Sequence, residues 1–99
     1  MTEYLLVTEV DHVLSFAADG QGQLAIHADA RGLEVLISRL VRMRDSVLGG
    51  DCPDEHLFSE SWGPGDLSGR VMANDGNLIH HVKIYGWTRE WAEKHGLAK

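Results

Sequence analysis

Residues 29–50, DARGLEVLISRLVRMRDSVLGG, decide the fold. Leu33, Leu36, Ile37, Leu40, Met43, Val47 and Leu48 recur at three- and four-residue intervals, which places them on one face of an α-helix. Asp29 stands before the run as an N-cap, its carboxylate able to accept from the open amides of the first turn. Gly49-Gly50 ends the run, because glycine takes a left-handed C-terminal conformation without a steric penalty. Arg39, Arg42 and Ser46 fall on the opposite side, where water is the expected neighbour. Arg42 and Arg44 suit the negative pole of the helix and Asp45 does not. A helix with a single apolar stripe needs another layer to cover it.

The flanks supply a sheet for that layer. Residues 3–17 alternate as β structure, either as one strand kinked near Asp11 or as two strands joined by a tight turn. Asp19-Gly20-Gln21-Gly22 is a turn, and residues 24–28 return as a strand with Leu24 and Ile26 on one face and Ala25 and His27 on the other. Beyond the helix, residues 51–55 form a loop and residues 56–62 a strand. A turn at 63–66 and a strand over 68–73 follow. Asn74-Asp75-Gly76-Asn77 reads as a hairpin turn, and residues 78–87 as a last long strand. Thr88-Arg89-Glu90-Trp91 reads as the start of a short terminal helix, with Thr88 capping it. The expected architecture is α+β: a mainly antiparallel sheet of about five strands, β-β-α-β-β-β, with one long helix on one face. At 99 residues this is one domain, with room for a single modest core.

Charge narrows the function classes. The net charge is −6, from 15 acids against nine bases. Six acids (Asp45, Asp51, Asp54, Glu55, Glu60 and Asp66) lie in residues 45–66 without a Lys or Arg among them, and the other nine balance the nine bases. A nucleic-acid binder concentrates positive charge instead. The acidic stretch, with Phe58 and Trp62 interleaved, reads either as a solvated edge or as a docking surface for a basic protein. The sole cysteine, Cys52, has no partner for an intramolecular disulfide and sits among acids, a poor setting for thiolate chemistry. The first residues lack the basic start and apolar run of a signal peptide, and no stretch approaches 18 apolar residues. A cytoplasmic protein is expected, with no membrane and no nucleic acid among its partners.

Candidate chemistry is thin. His80 and His81 are adjacent on a strand and so point to opposite faces, unable to grip one ion together. His80 shares its face with Leu78, Val82 and Ile84 and reads as a largely buried histidine held by a backbone hydrogen bond. His81, Lys83, Tyr85 and Trp87 form an amphipathic ladder on the other face, either solvated surface or contact surface. His12, His27, His56, His81 and Cys52 show no recognised ligand spacing, so neither a metal nor another cofactor is expected. Ser15, Ser59 and Ser61 lack the Gly-x-Ser-x-Gly setting of a hydrolase nucleophile. Gly63-Pro64-Gly65 lacks the Lys-Ser/Thr of a phosphate loop.

Three segments in combination resemble a known family. They are Ile26-His27-Ala28-Asp29 leading through Gly32-Leu33; Ser61-Trp62-Gly63 with Gly65, Asp66, Leu67 and Ser68; and His80-His81-Val82-Lys83-Ile84-Tyr85 with Trp87. Over residues 24–87 the chain is similar to the immunity protein 32 family of bacterial polymorphic toxin systems. Pro64 and Asp66 depart from the glycine and glutamate of that family's turn. The resemblance implies a non-enzymatic protein that binds and neutralises a cognate toxin, and it carries no catalytic residue across. Joined to the charge reading, it gives Asp51, Asp54, Glu55, Glu60 and Asp66 as a surface for a basic toxin such as a nuclease. Trp62, His81, Tyr85 and Trp87 are the expected anchors and contact face. The alternatives are a homodimeric structural or regulatory domain and, behind it, a small metal-dependent enzyme; both monomer and homodimer remain open.

Overall fold

The computed structural model describes residues 12–68 and 76–96. Its elements run β1 (Leu14–Ala18), β2 (Leu24–Ala28), α1 (Ala30–Leu48), β3 (Asp54–Phe58), β4 (Asn77–Ile79), β5 (His81–Tyr85) and α2 (Arg89–Lys94). The class is α+β, as the sequence indicates. The five strands are divided between two antiparallel sheets, one ordered β2-β1-β4 and the other β3-β5.

Several boundaries differ from expectation for local reasons. The segment expected as one strand over 78–87 is two strands separated at His80, and each half joins a different sheet. The strand expected over 56–62 begins two residues earlier, at Asp54, and ends at Phe58. Trp62 and Gly63 then donate their amides to the Ser59 carbonyl at 3.1 and 2.9 Å, which curls the chain into a turn. A single parallel bridge, Ser59 to Leu67, closes that turn. The readings for residues 3–11, 69–73 and the first half of the 74–77 turn lie outside the described residues.

β1 is the hub. It pairs with β2 on one side and β4 on the other, and Leu14, Ser15, Phe16 and Ala17 are all buried. Leu14 and Phe16 join Leu57 of β3 and Leu67 in one core, with Ala28, Val35, Leu36, Ile79, Val82 and Ile84 packed around them. This core joins both sheets and α1. On the other side of β1, the Ser68 hydroxyl accepts from the Leu14 amide at 3.2 Å and contacts the Ser15 hydroxyl at 3.3 Å, so these buried polar groups are paired.

The helical stripe divides unexpectedly. Met43 is buried and Leu36 packs on the core, while Leu33, Ile37, Leu40, Val41 and Leu48 stand exposed among the described residues, Leu48 by 78%. Two narrow sheets cover only a thin line along a helical cylinder, so the flanks of a wide stripe extend past them. The opposite side corrects the expectation for Arg39. It lies over β3, 22% exposed, and not in open water.

The ends of α1 are set by specific bonds. At the C-terminus, Gly50 (φ +94°) donates to Val47 and Asp51 donates to Ser46, the paired bonds of a Schellman motif; the left-handed residue is the second glycine, since Gly49 has φ −83°. At the N-terminus, one Asp29 carboxylate oxygen accepts from Gly32 at 2.7 Å and from Val13 at 3.1 Å, while the Asp29 amide donates to the Val13 carbonyl at 3.1 Å. The first turn of α1 is thereby clasped to the chain entering β1. Gly32 permits this approach: a Cβ there would lie 1.7 Å from the Val13 carbonyl oxygen.

Two predictions follow from the clasp. Gly32→Ala in an open helix would gain about 1 kcal/mol of helix propensity, yet here it must push β1 and α1 apart. It is expected to destabilise by about 3 kcal/mol in urea unfolding, and a neutral or stabilising result contradicts the close approach. The amides of Gly32 and Val13 also hold the Asp29 carboxyl below its ordinary value of 3.8. Its contribution to stability is therefore present above that value and is lost as pH falls through the lower folded-state value. Asp29→Asn keeps an acceptor for the cap and should flatten this acid-limb dependence in pH-resolved unfolding.

Candidate functional site

The residues singled out by sequence divide into two groups on either side of β3. Alternation along β3 and β5 puts Asp54, His56 and Phe58 on one face with His81, Lys83 and Tyr85, and puts Glu55 and Leu57 on the other with Val82 and Ile84. The second face meets the core and α1.

On that inner side the acidic stretch is partly neutralised within the chain. Arg39 of α1 donates to Glu55 at 3.1 Å and to Asp66, and Arg42 donates to Glu55 at 3.0 Å. The second Asp66 carboxylate oxygen accepts from the Phe58 amide at 3.3 Å, and the Asp66 carbonyl accepts from His12 at 2.7 Å. Glu55 and Asp66 therefore tie α1, β3 and the following turn together. Sequence spacing concealed this, because Arg39 is 16 residues from Glu55 and 27 from Asp66. Asp45 pairs with its neighbour Arg44 at 2.9 Å. Asp51, Asp54 and Glu60 are exposed, as is Asp45.

The outer face is built of rings. His81 stacks on Phe58 with centroids 4.2 Å apart, and its Nε2 lies 2.9 Å from Nδ1 of His56. His56 Nε2 lies 3.3 Å from the Asp54 carboxylate. Farther along, Tyr85, Trp87, Trp91 and His95 form a run of near-parallel contacts at 6.2, 5.6 and 4.1 Å. Thr88 makes this possible by capping α2, its hydroxyl accepting from the Trp91 amide at 3.0 Å. Lys83 lies over the Tyr85 ring, 5.6 Å from its centroid. The Tyr85 hydroxyl and the Asp54 carboxylate hold its amine above the ordinary lysine value. Tyr85 and Trp87 are 53% and 39% exposed. They border an open apolar groove of 380 Å³ whose far wall is Met43, Val47 and Leu48 of α1. Gly86 lies against that wall, because a Cβ there would come within 2.8 Å of Val47.

His80 corrects the sequence reading. It is a half-buried residue at the bend between β4 and β5, fixed by the Ser59 hydroxyl at 2.7 Å from Nδ1 and by Trp62 stacked 5.0 Å away at 5°. The expected backbone bond runs the other way: the His80 carbonyl accepts from the Ser59 amide at 2.8 Å. The Ser59–His80 contact has the composition of a nucleophile and base that sequence reading did not pair. Ser59 is 0% exposed, so its hydroxyl cannot meet a substrate and braces the bend instead. Trp62 itself is 62% exposed.

Among the described residues no cluster of three or more His, Cys, Asp or Glu side chains has metal-binding geometry. Cys52 is an exposed free thiol, and no described helix is long and apolar enough to cross a membrane. No protein family, no curated protein and no solved structure matches the chain.

Removing the Arg39 guanidinium leaves two largely desolvated carboxylates facing α1. Arg39→Met, which keeps the stem's packing, should destabilise by about 2 kcal/mol, between the worth of surface and buried pairs. Arg42→Met, at the exposed arm of the fork, should cost less than about 1 kcal/mol. Equal losses in urea unfolding would show that Arg39 is not the central cation.

Proposed function

We propose that this chain is a non-enzymatic immunity protein that binds and neutralises a cognate toxin domain by occluding it. The observation that carries the reading is the exposed Tyr85–Trp87 pair beside the apolar groove, with Asp54 directly opposite Tyr85 in the β3–β5 register. Large aromatic side chains next to an apolar recess form the centre of a protein interface, and carboxylates at its edge speed encounter with a basic partner. The family resemblance of the His80–Trp87 and Ser61–Ser68 segments supports the toxin as that partner. Asp51, Asp54 and Glu60 supply the steering charge, and Trp62 is a second aromatic contact. Glu55 and Asp66 act through the fold, since Arg39 and Arg42 occupy them.

The partner is sought in the open reading frame neighbouring this chain's gene, where the reading expects a toxin domain. Asp51→Asn, Asp54→Asn and Glu60→Gln together should slow association about three- to tenfold at low salt and reduce its salt dependence. Trp87→Ala should speed dissociation by about tenfold or more. Absence of binding and of protection by the unmodified chain overturns the toxin reading. Binding with unchanged kinetics in these variants overturns the surface assignment.

A second reading, a homodimeric structural or regulatory domain, draws on Leu33, Ile37, Leu40 and Val41, exposed along α1. Sedimentation that gives a monomer at every concentration removes it.

A further inference from the structure

The outer face holds a second device, in the contact between His56 of β3 and His81 of β5. Their Nδ1 and Nε2 atoms lie 2.9 Å apart, hydrogen-bond distance. A bond between two imidazole nitrogens requires a proton on one and a lone pair on the other, whichever tautomers are present. The pair can thus keep the bond with no added proton or with one, and never with both rings as imidazolium. Asp54 resolves the tautomer. A carboxylate facing His56 Nε2 at 3.3 Å calls for hydrogen on that atom, which leaves Nδ1 as the acceptor and His81 Nε2–H as the donor. A first added proton is accommodated on the far nitrogen of His81, and its charge lies against the Phe58 ring. A second can go only to His56 Nδ1, the lone pair that makes the bond.

The surroundings add to the effect. Double protonation leaves two cationic rings with centroids 5.1 Å apart, and Lys83 stands directly opposite His56 in the strand register. Asp54 is the carboxylate in contact with the pair. From the elements packed on the other face, Arg39 and Arg42 of α1 bring more positive charge, and Glu55 and Asp66 are engaged with them. The sheet being held is two strands of five residues, a size with little stability of its own.

We infer that His56 and His81 form a proton-operated latch across β3 and β5, closed with at most one added proton and opened by the second. Acid therefore loosens the face that presents Asp54 and Tyr85. The inference stands on the geometry of the pair and holds whether or not the partner is a toxin.

Amide hydrogen exchange of the whole chain tests it, with rates corrected for their intrinsic pH dependence. As pH is lowered from about 7.5, protection of Asp54–Phe58 and His81–Tyr85 should fall roughly tenfold while β1 and β2 hold theirs. His56→Gln replaces the ring that takes the second proton with an amide whose oxygen can still accept, and should flatten that change. The same pH profile in wild type and His56→Gln overturns the latch. Nitrogen-15 spectra of the wild-type imidazoles give a readout free of substitution. Loss of the inter-ring hydrogen bond together with the fall in protection supports the latch, and a fall in protection with the bond intact, or no fall at all, overturns it.

Discussion

The tight junction between the first turn of α1 and the carbonyl of Val13 is the constraint on which the rest depends. Gly32 lets the backbones meet, and Asp29 uses one carboxylate oxygen to accept from both sides of the junction. The bond from the Asp29 amide to Val13 then fixes where β1 begins relative to α1. Because β1 is the central strand of its sheet, that one junction sets the direction of β2 and β4 and the height at which Leu14 and Phe16 meet Val35 and Leu36.

From this junction the helix runs over β3, where Arg39 and Arg42 meet the acids that carry much of the chain's charge imbalance. The acidic stretch has two roles, divided by where the fold places each side chain. Glu55 and Asp66 point inward and hold the turn after β3 to α1. Asp51, Asp54 and Glu60 are exposed at the surface. A charged side chain in this region is therefore structural or interfacial according to its face, and counting acids along the chain conflates the two.

The break at His80 gives the molecule its outer surface. With Ser59 and Trp62 holding the bend, β4 completes the sheet of β1 while β5 leaves it to pair with β3. That exit places Lys83 and Tyr85 on the face of β5 opposite Val82 and Ile84 and brings His81 to His56 and Phe58. The proposed interface and the proton-sensitive pair are both consequences of this change of sheet. One face can thus combine aromatic contact area, steering charge and a titrating hydrogen bond without any group sealed in the core.

Much of the frame was legible in the sequence. The 3.6-residue period and the residues at either end marked α1, the Asp19–Gly22 turn marked the β1–β2 hairpin, and alternation placed His81, Lys83 and Tyr85 together on the outer face. These are local properties, set by side-chain period, backbone freedom at glycine and capping chemistry acting within a few residues. Tertiary structure alone decided which flank of the α1 stripe is buried, that Arg39 takes Glu55 and Asp66, that Ser59 finds His80, and that His56 finds His81. Each of those depends on partners brought together by chain reversals, 16 to 27 residues apart for these pairs. No periodicity records such pairings, because they are fixed by the angle and height at which α1 and the two sheets meet.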